Sequence, residues 1–231
     1  MLVGALAALA GFEWARLCRL QGALVWLYAG ATAAAFAALW LAGGAAGQVA
    51  LAAAGVWWVA AVPAWLWRGV KPTDARLLAG AGFLVIVPAG LAMTWLRPEM
   101  LLAALVLVWI ADTAAYFVGR AFGRHRLAPS ISPAKTWEGA TGGLIGALAY
   151  AIICGTFIEG LAWAPYLAAA ALLAVLSIVG DLFESAAKRQ AGVKDSGALL
   201  PGHGGLLDRI DSAVATLPLA ALLLPFIKGQ P

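Results

Sequence analysis

Two short stretches of this chain, 112–140 and 181–211, hold seven of its eleven acidic residues and both of its histidines. In the second, Asp181, Glu184, Ser185 and Lys188 fall at i, i+3, i+4 and i+7, so a helix would present them on one face. Lys194 and Asp195 follow, then Pro201-Gly-His203-Gly204-Gly205, then Asp208 and Asp211, three apart and again on one helix face. Asp181, Asp208 and Asp211 can therefore converge from two neighbouring helix ends. Converging carboxylates repel each other unless a cation neutralises them. A ligand set made only of oxygens suits Mg²⁺, which is held by one or two carboxylates plus substrate phosphates; a second cation is an open alternative. Lys188, Arg189, Lys194 and Arg209 supply positive charge for phosphate oxygens. The glycines around His203 let backbone N–H groups come close to a ligand. Taken singly, Asp208 and Arg209 read as a local ion pair and His203 as a loop histidine. Metal-binding acids, bases and a glycine turn together describe phosphate transfer.

The first stretch adds to this. Asp112 falls near the end of an apolar run, where a carboxylate is costly and marks a functional candidate. Tyr116 lies four residues on, on the same helix face. Ser132, Lys135, Thr136 and Glu138 follow a proline that breaks the chain locally, and hydroxyls plus a lysine suit phosphate oxygens. The basic run Arg124, His125 and Arg126 also fits a plain solvated loop. The remaining acids differ: Glu13, Asp74 and Glu99 stand near the ends of apolar runs, where packing and interfacial anchoring account for them, and Glu159 lies on the far side.

The elements that must position these residues are membrane helices. The chain has 231 residues, 64% hydrophobic and 11% charged, with mean hydropathy +0.92. A soluble domain carries about 25% charged residues, so the solvent for most of this chain is a bilayer. Eight apolar stretches are long enough to be candidate spans: Leu2–Ala15, Leu24–Leu41, Val49–Trp67, Leu77–Leu96, Met100–Phe117, Thr141–Ile158, Ala162–Val179 and Ser212–Ile227. The expected fold is all-α and polytopic, with residues 1–111 as N-terminal transmembrane helices and 112–231 as a catalytic membrane region. Thirteen Lys and Arg fall in alternate loops and only Arg97 and Lys228 in the others, which puts the acid-rich stretches on the cytoplasmic side of the inner membrane. Eight spans leave both termini outside, and Met1 opens directly in apolar sequence, so a preceding span of the full fold is expected to be missing. The net charge of +4 is too small and scattered for nucleic-acid binding. Cys18 and Cys154, far apart in apolar surroundings, read as small core residues.

Residues 185–211 resemble a family signature. Ser185-Ala-Ala-Lys-Arg189, Lys194-Asp195-Ser-Gly197 and Leu200-Pro-Gly-His203-Gly-Gly-Leu-Leu-Asp208-Arg-Ile-Asp211 are similar to that of phosphatidate cytidylyltransferases, also called CDP-diacylglycerol synthases. Ala187 departs from it, standing where the family usually has a larger apolar residue. Asp112–Gly123, Ile131–Gly139, Gly180–Ser185 and Phe12–Arg16 look like further family blocks, and the last of these usually follows more apolar sequence. The resemblance implies that the chain makes CDP-diacylglycerol and pyrophosphate from CTP and phosphatidate, with magnesium. It maps the metal-binding acids onto Asp181, Asp208 and Asp211. Lys188, Arg189, Lys194, Asp195, His203 and Arg209 are then candidates for the catalytic group. Asp112, Tyr116, Ser132, Lys135, Thr136, Glu138, Glu184, Ser185, Gly204 and Gly205 are candidates for substrate binding. A homodimer is a further implication.

Other readings make distinct demands. A CDP-alcohol phosphotransferase would show an Asp-Gly-x-x-Ala-Arg run with paired aspartates, which is absent. A polyprenyl transferase shares only the spacing of Asp208 and Asp211. A cation-coupled transporter would carry its acids at mid-span rather than at the cytoplasmic ends.

Overall fold

The computed structural model describes residues 1–69, 71, 74–197, 199 and 204–226. His203, Lys228 and the end of the last expected span lie outside these. Among the described residues, eight helical rods account for the eight apolar stretches. They are α1 (Leu2–Leu17), α2 (Ala23–Ala42), a rod made of α3 (Gly44–Val56) and α4 (Val62–Arg68), α5 (Ala75–Trp95), α6 (Pro98–Phe122), α7 (Trp137–Gly155), α8 (Trp163–Ala191) and α9 (Leu207–Leu223). Six of them, α2, the α3–α4 rod, α5, α6, α7 and α8, are long and apolar enough to cross a membrane. The chain is an all-α, multi-pass membrane protein. In hydrocarbon each backbone N–H must find its acceptor within the segment, and helices satisfy that demand. At 16 and 17 residues, α1 and α9 are shorter than the rest; a rise of 1.5 Å per residue gives them lengths of about 24–26 Å.

Three features depart from the sequence expectation. A single glycine turn, with Gly43 and Gly44 both at positive φ, joins α2 directly to α3, so that rod starts earlier than Val49. Within it, Trp57–Ala61 widens into a π-turn just before Pro63, which has no N–H to donate and whose ring would clash with the carbonyl four residues back at α-helical distance. Residues 126–136, read as a broken loop, form an antiparallel hairpin of β1 (Arg126–Ala128) and β2 (Ser132–Thr136) between α6 and α7.

Helix lengths matter for the site. Helix α6 runs on to Phe122, so Asp112 lies ten residues inside it, deeper than expected. Helix α8 continues twelve residues past Val179 and carries Asp181, Glu184, Ser185 and Lys188 on its extension. Its rotation is fixed by Phe183, ringed by Trp14, Trp57, Trp58 and Trp65 with centroids 5.6–6.1 Å away. Such aromatic contacts hold geometry as well as burying area. Two seams depend on glycine. A Cβ at Gly143 would come within 2.8 Å of the Ala111 carbonyl oxygen and one at Gly142 within 2.5 Å of Val118, so α6 and α7 touch backbone to backbone. A Cβ at Gly180 would lie 2.5 Å from the Asp211 carbonyl oxygen, which brings α8 against α9 beside their aspartates.

Candidate active site

A cavity of about 750 Å³ opens where the hairpin folds over the ends of α6, α7, α8 and α9. Four aspartates line it: Asp112 from α6, Asp181 from α8, and Asp208 and Asp211 from α9. Three basic residues face them, Arg120 from α6 and Arg126 and Lys135 from the hairpin. Mixed charge at such density in a membrane protein needs either pairing or a ligand of matching charge.

The first grouping lies on the cavity wall. The Lys135 ammonium pairs with Asp181, and the Ser185 hydroxyl donates to the other Asp181 oxygen at 3.2 Å. Asp211 accepts from the backbone N–H of Ser212 at 2.7 Å. On α6, Arg120 donates to the Tyr116 hydroxyl at 3.1 Å, and both line the cavity. The hairpin carrying Ser132 and Lys135 is tied to α8 by Arg189, whose Nε donates to the Ile131 carbonyl at 3.3 Å. Arg189 thus holds the wall instead of lining the cavity.

The second grouping is denser and drier. Lys188 donates to Asp208 Oδ1 at 2.6 Å and stands 3.2 Å from Glu184 Oε1, with only 12% of its side chain exposed. Asp208 Oδ2 accepts from the Ser196 N–H at 2.9 Å, the Ser196 hydroxyl at 3.0 Å and the Gly205 N–H at 2.8 Å. Hydrogen bonds of this kind, to an ionised carboxylate, are about twice as strong as neutral ones. Asp208 therefore ties α8 to the chain leading into α9. Gly204 takes φ +82°, and a Cβ there would approach Asp208 to 2.8 Å, so the turn requires glycine.

Thr136 also lines the cavity; it is buried and caps α7, its hydroxyl oxygen accepting from the Gly139 N–H at 3.1 Å. Other expected residues lie elsewhere. Glu138 accepts from the backbone N–H groups of Arg124 and His125 and meets the His125 ring at 2.6 Å. It lines a separate, shallow hollow behind the hairpin. Lys194, Asp195 and Arg209 are exposed and do not line the main cavity. The candidate site read from the sequence left out Arg126, whose basic run also fits a solvated loop, and Arg120, although Arg120 continues the Asp112–Tyr116 spacing by one further turn. It also passed over Glu13 and Ser196. Glu13 is 2% exposed and accepts from Ser196, Leu206 and Leu207.

Among the described residues no three Asp, Glu, His or Cys side chains form a ready-made metal cage. Magnesium does not need one, since one or two carboxylates and phosphate oxygens complete its octahedron. Asp181 and Asp211 on one cavity wall, with Asp208 beside them, fit that partial ligand set by oxygen chemistry.

The chain matches the model of the "Cytidylyltransferase family" over residues 1–227. It belongs to that family. As a cytidylyltransferase-family protein it is an enzyme of the nucleotidyl-transferring class. It is 42% identical over 242 residues to the phosphatidate cytidylyltransferase of Pseudomonas aeruginosa, covering 97% of this chain and 86% of that relative. The protein of the same name from Haemophilus influenzae is 46% identical over 133 residues, 55% of this chain and 46% of the relative. That of Brucella suis is 42% identical over 166 residues, 69% of this chain and 58% of the relative. The matched region thus spans about half the length of the latter two.

Proposed function

We propose that this family member transfers the cytidylyl group of CTP to phosphatidate, giving CDP-diacylglycerol and pyrophosphate. The observation that carries this reading is the cavity at the helix ends where four aspartates face Arg120, Arg126 and Lys135. Similarity to the relatives named above supplies the substrates. The lipid phosphate is largely ionised near neutral pH, so it needs no general base. One of its oxygens forms a bond to the α-phosphorus of CTP as the bond from that phosphorus to the bridging oxygen of pyrophosphate breaks. The obstacle is the mutual repulsion of two anions. A Mg²⁺ ion held by Asp181 and Asp211, with Asp208 nearby, would offset that charge between the phosphates. Lys135, Arg120 and Arg126 bind phosphate oxygens and neutralise the leaving pyrophosphate. Lys188 holds Asp208 in place, and Asp112 and Tyr116 line the wall that orients the nucleotide.

The site faces the cytoplasm of the inner membrane in this reading, on the strength of the thirteen-to-two distribution of Lys and Arg. CTP then arrives from solution while the acyl chains stay between helices. The test uses purified protein with phosphatidate in mixed micelles, CTP and Mg²⁺. Release of pyrophosphate together with a CDP-lipid product is the expected result. Absence of product across lipid phosphates, with CTP replaced in turn by dCTP, would overturn the proposal.

A further inference from the structure

The N-terminal helix looks chemically idle in the sequence, yet it and the turn after it place two charges at the start of α9 and the end of α8. Glu13 is buried among apolar neighbours, including Ala10 and Trp14. A carboxylate in that setting persists only when hydrogen bonds hold it. Its three donors all come from one place. Glu13 Oε2 accepts from the Ser196 hydroxyl at 2.9 Å and the Leu207 N–H at 2.9 Å, and Oε1 accepts from the Leu206 N–H at 2.9 Å. Helix α9 begins at Leu207 after Leu206, which offers no side-chain cap. Its first N–H groups would otherwise lack partners, and Glu13 supplies the acceptor across the fold. The site is built for this contact: a Cβ at Gly197 or at Gly205 would come within 2.5 Å of the Glu13 carboxylate. Six residues further along, Arg19 takes φ +61° and donates to the Gln190 carbonyl at 2.9 Å, at the last turn of α8. Negative charge thus meets the start of α9 and positive charge the end of α8, each matched to the sign of the helix dipole.

The Ser196 hydroxyl lies between two carboxylates, 2.9 Å from Glu13 and 3.0 Å from Asp208. Asp208 in turn holds Lys188. We propose that Glu13 is a positioning residue for the transfer reaction: it fixes Ser196 and the start of α9, and through them the placement of Asp208 and Asp211 at the cavity and of Lys188 against Asp208. The inference rests on the cytidylyltransferase reading above. It differs from a purely structural role because it ties turnover to Glu13 through Ser196.

The experiment compares wild type, Glu13→Gln, Ser196→Ala and the double variant as purified proteins. A glutamine keeps the size of Glu13 but turns an N–H₂ toward groups that are already donors. The expected kcat loss for Glu13→Gln is about 10- to 100-fold, the scale of a misplaced reacting group, with KM for CTP changed by less than about threefold. The double variant falls less than about twofold below the worse single variant, because both substitutions break one chain. Wild-type kcat in folded Glu13→Gln, or fully multiplicative losses, overturns the proposal. If Glu13→Gln does not accumulate, Ser196→Ala decides: wild-type kcat there overturns the proposal, and a loss at unchanged melting temperature supports it. Hydrogen exchange at the Leu206 and Leu207 amides, expected to speed up in Glu13→Gln, needs no substrate. Inactive wild type with normal exchange would therefore point to failure of the reaction assignment instead of the positioning.

Discussion

The aspartates of this site divide into two environments separated by one turn of α9. Asp181 and Asp211 stand on the cavity wall, where Lys135 and the backbone of Ser212 are their partners. Asp208 is also at the cavity, but it accepts from Lys188 and from the N–H groups of Ser196 and Gly205, and the one Ser196 hydroxyl proton is shared between it and Glu13. Glu13, behind it, accepts from the Leu206 and Leu207 N–H groups as well as sharing that proton. The same functional group thus does two kinds of work. A carboxylate saturated by protein donors holds chain segments together, whereas one with capacity facing the cavity can bind a cation or repel a misplaced anion. Family signatures, read as strings, do not separate the two.

Substitutions sharpen the contrast. Asp211→Asn removes a cavity charge while nearly preserving shape, and turnover is expected to fall about 10³-fold with normal membrane insertion and melting temperature; pyrophosphate release from purified protein measures it. Asp208→Asn should cost about 10²-fold in turnover and also lower the melting temperature, since the amide opposes at least one existing donor. Equal melting temperatures for Asp208→Asn and Asp211→Asn would erase the distinction, and near-normal turnover in Asp208→Asn would remove it from the reaction. Lys135→Ala should reduce kcat/KM for CTP about tenfold, the value of one charged contact to phosphate, without disturbing the fold; an unchanged KM would locate Lys135 away from the nucleotide.

The smallest effect belongs to a control far from the cavity. Asp74 precedes α5 and accepts from the Lys71 N–H at 3.1 Å and the Trp65 indole at 2.9 Å, with Arg68 3.6 Å away. The Lys71 N–H, then Trp65 and the nearby cations, hold its carboxyl below the usual range. A lowered folded-state pKa adds stability that is complete above the unfolded value of about 3.9 and is lost as pH falls through the folded one. Asp74→Ala should therefore cost about 1–3 kcal/mol near neutral pH, an amount that shrinks below about pH 4, at unchanged turnover. Thermal melts at two pH values check it.

Much of this arrangement was legible beforehand. Hydropathy alone delimits the rods, because lipid forces backbone hydrogen bonding into each segment. The i, i+3, i+4, i+7 spacing from Asp181 to Lys188 places them on one face as soon as α8 continues past Val179. The hairpin was not legible. Ser132–Thr136 has no alternating apolar pattern, and its strand form depends on pairing with β1 and on Arg189 reaching Ile131. Glu138 looked like part of the same loop, but the hairpin turns it to the opposite side. Arg120 was readable from helical spacing and was missed by stopping one turn early. Glu13 could not be paired from one sequence, because nothing local indicates donors so far along the chain.

That separation bears on biogenesis. Glu13 and the Leu207 amide that it accepts from are 194 residues apart. At about 5–20 residues per second, synthesis leaves roughly 10–40 s between them. Throughout that interval Glu13 is without the donors it has in the folded protein, so the floor of the cavity can close only after α9 has been made.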